Sequence, residues 1–163
     1  PPRRDAVLTV LSLAFHAGAR ARSRGQPAGA ALCWEALRLA RALAAHPAVA
    51  HPDADALAAL LLLHGARLTG AVDDEGQPVP LAGQARDRWD AGLVRLGLAH
   101  LQAAQRAGRL SRWHLLAAVA AEHAVAPSVA ATRWPVIVRC YETLLRLDDT
   151  AAPRLAHAIA LAE

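Results

Sequence analysis

Leucine and alanine recur at spacings of three and four residues along almost the whole chain, which restricts the fold to packed α-helices. This spacing places apolar side chains on one side of a helix, whereas a half-buried strand would alternate apolar and polar residues. Only the piece Val79–Leu81 could pair locally, and the prolines at 78 and 80 argue against a sheet there. The sequence therefore predicts an all-α fold, in a single helical domain over residues 1–163.

Seven helices follow from the apolar stripes and from the residues that start and stop helices. They are expected at about 5–19, 27–46, 51–69, 87–107, from 111 to before Pro127, at 134–147, and after Pro153. Most of the connections are short, which favours antiparallel packing of neighbouring helices. Successive hairpins of this size predict a short, tetratricopeptide-like alpha-solenoid, although the Trp, Gly and Tyr signature of that repeat is not met in register.

The first and third helices carry the most specific structural predictions. Asp5 is expected to cap the first helix, and residues 20–26 to form a polar connection after it. The inward face of this helix is expected to carry Val7, Leu8, Leu11 and Phe15. The third helix is apolar nearly all round over Leu57–Leu63, which predicts that it is buried between neighbours.

The helical pattern breaks once, over Val72–Asp90, and long loops inside compact helical domains are often functional. This stretch opens with an acidic turn and ends in Gln-Ala-Arg-Asp-Arg-Trp-Asp. Its candidate residues are Gln84, Arg86, Arg88, Trp89 and Asp90. One interpretation is a structural clamp, in which the guanidinium groups bond loop carbonyls or nearby carboxylates. The other interpretation is a patch on which a partner protein docks.

Composition argues against several other classes of protein. All 18 basic residues are arginine and are scattered, so the net charge of +4 does not predict a nucleic-acid-binding face. The four tryptophans lie near helix starts or on apolar stripes, which favours core anchors. Cys33 and Cys140 lie inside helical patterns, which favours buried free thiols and a reducing cytoplasm.

No catalytic or metal-binding constellation is recognisable in the sequence. No two of the eight histidines stand four residues apart, as a helical zinc site requires. The turn Asp73–Gly76 lacks the alternating ligands of a calcium loop. We therefore predict no enzyme activity, no cofactor and no metal. The chain lacks methionine, so we expect it to be a piece of a longer protein or to have lost a leader.

Seven segments of the chain occur in the order found in one known family. They are 7–18, 32–43, 57–67, the turn and Gln-x-Arg-x-Arg-Trp-Asp motif at 74–90, the Ala-rich stretch 115–126 with His123, the Thr-x-Trp and Tyr-Glu positions of 132–144, and 157–163. Together they resemble the C-terminal, tetratricopeptide-like extension of one group of extracytoplasmic-function (ECF) RNA polymerase sigma factors. The resemblance covers nearly the whole chain, and the order of its motifs is more specific than any one of them.

The resemblance implies a cytoplasmic regulatory domain that modulates sigma-dependent transcription initiation. Its expected partners are its own sigma regions and RNA polymerase, or a signalling protein. Sigma regions 2 and 4 are absent from these residues, so the resemblance implies no direct nucleic-acid binding by this chain. Two other hypotheses stay open: a free-standing helical-repeat scaffold that binds a peptide or protein, and a small-ligand sensor with a pocket near Arg86, Arg88 and His123.

The chain departs from the family at several polar positions. The family usually has Asn-Glu-Gly-Tyr after the opening phenylalanine, acidic residues before the glutamine of the motif, and Asn-Arg in the last helix. The corresponding residues here are His16, Ala17, Gly18, Ala19, Ala82, Gly83, Ala156 and His157. If the family's polar residues form a site, we expect that site to be weakened or altered in this chain.

Overall fold

The computed structural model of the chain describes residues 2–73, 75–108 and 110–163. Within these residues the helices are α1 (Pro2–Ser23), α2 (Ala28–Ala45), α3 (Pro52–Ala66), α4 (Ala91–Gln105), α5 (Arg112–Val125), α6 (Trp134–Leu147) and α7 (Ala151–Leu161). Two 3₁₀ turns, Leu81–Gly83 and Arg86–Arg88, lie between α3 and α4. No β-strand occurs in the described residues, so the predicted all-α class is confirmed. Each helix packs on the next along the chain, as a helical-repeat arrangement requires.

Helix α3 lies at the centre of the fold, as its continuous apolar sequence predicts. It packs on α2 and α4, and also on α1 and α5. Every side chain over Leu57–Leu63 is buried. This helix joins the main core, and a smaller second core lies between α5, α6 and α7 around Ile137.

Glycines let α1 and α2 approach each other closely. A Cβ atom on Gly29 would lie 2.6 Å from the carbonyl oxygen of Gly18 and would also collide with the backbone of Arg22. One turn further on, the Cys33 thiol donates to the carbonyl oxygen of Phe15 at 3.4 Å. The helix axes can come this near only where side chains are missing, so these glycines position the first hairpin.

Several predicted helix ends are wrong. Helix α1 begins at Pro2 and runs to Ser23, so Asp5 lies in its first turn and is not its N-cap. Residues 20–23 are helical because alanine and arginine favour helix, and Gly25, with φ of 71°, provides the left-handed residue that follows. Helix α3 ends earlier than predicted, at Ala66, and α4 begins later, at Ala91.

Some side chains predicted to lie in the core are exposed, among them Leu32 on α2 at 41%. The side chain of Trp34 is 45% exposed, because it follows the fully buried Cys33 and therefore points to another side of α2. Val7 is 47% exposed beside the buried Leu8 for the same reason. Trp89 and Trp113 are buried, which agrees with the prediction that they are core anchors.

The first and last helices leave apolar side chains in solvent. On α1 the exposed residues are Val7, Val10 and Leu13, and on α7 they are Leu155, Ile159 and Leu161. An open groove of about 510 Å³ lies between α1, α5, α6 and the start of α7. None of the helices in the described ranges combines the length and apolar character needed to cross a membrane.

Candidate functional site

The first half of the long connection is closed by its own backbone. An antiparallel bridge joins Val72 and Pro78, and the amide of Val79 donates to the carbonyl of Ala71 at 2.9 Å. The Asp73 carboxylate accepts from the amides of Glu75 and Gln77 at 3.1 and 2.6 Å. The local pairing considered possible around Val79 therefore occurs as one isolated bridge. The Asp73 carboxylate stabilises the turn through its two hydrogen bonds to backbone amides.

Gln84 and Arg86 hold the second half of the connection together. The buried Gln84 amide donates to the carbonyl of Val79 at 2.8 Å, and its oxygen accepts from Nε of Arg67 at 3.4 Å. Nη1 of Arg86 donates to the carbonyls of Leu81 and Gln84 at 3.3 and 3.0 Å. These are the loop-carbonyl bonds that the clamp interpretation predicts.

Two guanidinium groups lie close to the ring of Trp89. The Cζ atom of Arg86 is 4.3 Å from the ring centroid and that of Arg67 is 5.3 Å from it, within the range of cation–π attraction. The indole packs against Gly70, where a Cβ atom would lie only 3.1 Å from the ring. Thus Arg67, on the turn after α3, and Arg86, on the loop, both contact one buried aromatic side chain.

The last part of the motif fixes the start of α4. The Asp90 carboxylate caps α4 by accepting from the amide of Leu93 at 2.9 Å, while the Asp90 amide donates to the carbonyl of Ala66 at 3.0 Å. The carbonyl of Arg88 accepts from the Thr69 hydroxyl at 2.6 Å, and the Arg88 side chain is exposed. We call Gln84, Arg86, Arg88, Trp89 and Asp90 the clamp, because together they tie the end of α3 to the start of α4.

His123 does not belong to the clamp. It lies on α5, where its ring makes an edge contact with Trp134 at 5.3 Å, and its buried Nδ1 has no hydrogen-bond partner. The adjacent Glu122 points elsewhere and forms a two-bonded ion pair with Arg133 at 2.7 and 2.8 Å. The two neighbouring side chains therefore face different ways, as adjacent positions on a helix must.

His123 instead lines a cleft of about 240 Å³ between α1, α3, α5 and α6. The polar residues of this cleft are Ser12, His16, His64, Arg67, His123 and Tyr141. From the sequence, His123 was a candidate site residue and His16 a position that departs from the family, but none of the other four was identified as a site residue. A usable signal existed on α3 and the turn after it, because His64 and Arg67, three residues apart, interrupt a uniformly apolar stretch.

The cleft has a positive electrostatic character. Burial lowers the pKa of His64 to about 3, and nearby Arg67, His16 and His123 add to this effect. Burial likewise lowers the pKa of Arg67 to about 10, with a contribution from Arg86. The pKa of His123 falls to about 4 through burial and through the charges of Arg67 and Arg86. At neutral pH both histidines are therefore uncharged, and Arg67 carries the positive charge.

These shifts predict that the folded chain loses stability as the pH falls. Below about pH 6.5 the unfolded chain takes up protons on His64 and His123, whereas the folded chain does not. The free energy of unfolding should therefore fall from about pH 6.5 down to about pH 4, where His123 in the folded chain also takes up its proton, by at most roughly 1.4 kcal/mol per pH unit for each histidine. Urea denaturation across this range measures the slope.

The variant His64→Gln should reduce that slope by about half, since one of the two titrating groups is gone. His46→Gln is the control, because His46 is exposed at the end of α2. An unchanged slope in His64→Gln would contradict the assignment of the pH dependence to the cleft.

A second group of polar contacts lies at the other end of α3, away from the clamp. His100 on α4 contacts the Asp55 carboxylate at 2.8 Å, and His114 on α5 lies 3.7 Å from Asp53. Sequence reasoning missed both pairs, because their partners are 45 and 61 positions apart. They join the N-terminus of α3 to its neighbours. No group of three potential metal ligands is present in the residues that the structure describes.

Comparison with known proteins identifies a family and a relative of this chain. Residues 3–105 match a family described as a family of unknown function, DUF6596. An uncharacterized protein of Rhizobium meliloti (strain 1021) is 34% identical over 161 residues, which is 99% of this chain and 38% of that protein. The chain thus spans well under half of this relative. No solved structure matches the sequence.

Proposed function

We propose that this chain, which belongs to the DUF6596 family of unknown function, is the regulatory C-terminal domain of an ECF-type sigma factor. It would modulate sigma-dependent transcription initiation through contacts with its own sigma regions or with RNA polymerase. The observation that carries this proposal is the clamp. The Gln-x-Arg-x-Arg-Trp-Asp motif is the part of the chain that resembles the sigma-factor extensions most closely. The side chain or backbone of each named residue in it makes a defined contact.

Two further observations support a domain that works by protein contacts. The Rhizobium meliloti relative is much longer than the matched stretch, which leaves room in that protein for other regions. In this chain, the exposed apolar residues Val10 and Leu13 lie on α1, and Leu13 also lines the open groove toward α6 and α7. Exposed apolar surface next to a groove is typical of protein-interaction sites.

The first test is the gene sequence upstream of the codon for Pro1. Sigma regions 2 and 4 in the same reading frame would support the proposal, and a start codon within a few codons of Pro1 would contradict it. The second test is run-off transcription by the intact factor with core RNA polymerase. Val10→Glu should change the transcript yield, whereas Val49→Glu, at a similarly exposed valine between α2 and α3, should not.

Variants of the two clamp arginines, Arg86 and Arg88, distinguish a structural role of the clamp from a docking role. Arg86→Ala should lower the unfolding free energy by about 1–3 kcal/mol, since it removes a cation–π contact and two hydrogen bonds to loop carbonyls. Arg88→Ala removes an exposed side chain and should leave stability within about 1 kcal/mol. Thermal and urea unfolding of both variants measure this difference.

If the clamp also docks a partner, Arg88→Ala should reduce transcription by the intact factor while the protein stays folded. Arg95→Ala, at an exposed arginine on α4, is the matched control. Normal transcription by the Arg88→Ala factor would contradict the docking role and leave the clamp with a structural role alone.

The groove between α1, α5, α6 and α7 favours one second candidate, a free-standing scaffold that binds a peptide. Helical-repeat proteins commonly bind partners on such grooves. This candidate shares the predicted effect of Val10→Glu on partner binding but requires no sigma regions, so the upstream gene sequence distinguishes the two.

A further inference from the structure

Arg67 holds a charge in the cleft without a matching carboxylate. It is partly buried, and within the described residues no Asp or Glu lies within ion-pair distance of it. Its Nε meets only the neutral amide of Gln84, at 3.4 Å, and its terminal nitrogens meet no acceptor in these residues. A guanidinium removed from water is costly unless it is paired, so this arrangement calls for an explanation.

Several other arginines of the chain do pair with a carboxylate. Arg133 pairs with Glu122, Arg112 with Asp5, and the exposed Arg154 with Asp149. Arg86, the nearest cation, donates from Nη1 to two loop carbonyls and lies over the face of Trp89. Its buried Nε and Nη2 have no hydrogen-bond partner in the described residues, and it brings no negative charge to Arg67. Arg67 therefore lines the wall of the cleft, and its terminal N–H groups are donors without an acceptor in the described residues.

The rest of the cleft combines hydrogen-bonding groups with apolar walls. The side chains of His64 and Tyr141 line it, and no hydrogen bond to either is found in the described residues. The buried Nδ1 of His123 also lacks a partner. The apolar lining is Leu60, Leu81, Leu116, Val119 and Ala120. A few converging polar groups on an apolar wall are typical of small-molecule sites.

We propose that this cleft binds a small organic acid, whose carboxylate pairs with the guanidinium of Arg67 and whose apolar body lies against Leu60, Leu116 and Val119. Arginine binds carboxylates through two parallel N–H donors, which its open terminal nitrogens supply. Arg67 is the only arginine among the described residues that line the cleft, and the walls are apolar, so a monoanion with a hydrocarbon body fits better than inorganic phosphate. A volume of about 240 Å³ restricts the ligand to a short branched or single-ring acid.

Isothermal titration calorimetry of the chain with isovalerate and benzoate tests this proposal. We expect both acids to bind, and the neutral amides of the same shape to bind at least about tenfold more weakly, since the ion pair is lost. Inorganic phosphate should bind more weakly than either acid. Tighter binding of phosphate, equal binding of acid and amide, or no binding of either acid at about 10 mM would each overturn the proposal.

Two variants locate the binding in the cleft. Arg67→Gln should weaken benzoate binding at least about tenfold, and Arg41→Gln, at an exposed arginine on α2, should leave it unchanged. The variant Arg67→Gln also loses the contact with Trp89, which is a second effect of the substitution. A second variant therefore tests the cleft while every cation stays in place. Ser12→Leu narrows the cleft from α1 and should also abolish binding. Unchanged benzoate affinity in a folded Ser12→Leu protein would place the bound acid elsewhere and overturn the proposal.

Discussion

Replacing Trp89 with alanine is expected to lower the free energy of unfolding by about 3–5 kcal/mol. Trp89 is only 7% exposed, and its ring fills the space between Arg67, Arg86 and the backbone at Gly70. The truncation leaves a cavity and removes the aromatic partner of both guanidinium groups. Urea denaturation, followed by circular dichroism at the helix band, measures the loss.

Trp34→Ala is the matched control for this experiment. Trp34 is 45% exposed on α2, so the same truncation should cost only about 1 kcal/mol. Similar losses for the two variants would show that the clamp adds nothing beyond the removal of an indole ring. A Trp89→Ala protein as stable as the parent would refute the clamp as a structural element.

Gly29→Ala is expected to destabilise the chain by about 3 kcal/mol or more, although alanine favours helix over glycine by about 1 kcal/mol. The added methyl group would lie 2.6 Å from the carbonyl oxygen of Gly18, and that atom belongs to backbone that cannot rotate away. Helices α1 and α2 must then separate, which also disturbs the bond from Cys33 to Phe15. Thermal and urea unfolding measure this effect.

Gly92→Ala adds the same methyl group where it should be tolerated. Its nearest neighbour would be Oδ1 of the N-cap Asp90 at 3.0 Å, a side-chain atom that can shift by a few tenths of an ångström while it still caps α4. This variant should keep its stability within about 1 kcal/mol. If Gly29→Ala were as stable as Gly92→Ala, the close approach of α1 and α2 would not be needed for the fold.

The helices could be predicted well from local spacing, and their ends less well. The apolar stripe of α6 and the proline in its first turn predict its bounds, Trp134–Leu147, without error. The end of α1 was missed, because the arginine-rich residues 20–23 read as a polar connection. In the fold, Arg22 donates to the carbonyl of Leu68 in the turn after α3, and this long-range contact helps to hold the last turn of α1.

The clamp was recognisable in the sequence because its residues are contiguous. Its two interpretations could not be separated there, since only the fold shows that Arg86 bonds Leu81 and stacks on Trp89. The cleft was not recognisable. Its polar lining comes from α1, the end of α3, α5 and α6, and these segments lie far apart along the chain.

By itself the sequence determined the all-α class, the buried central helix and the position of the clamp, because periodicity and contiguous motifs are local properties of a chain. The tertiary structure alone decided which faces meet. It placed Gly18 against Gly29, left Trp34 in solvent, and brought His64, Arg67 and His123 to one cleft. Spacing fixes the direction of a side chain around its own helix axis, but the neighbour it meets depends on how the helices pack.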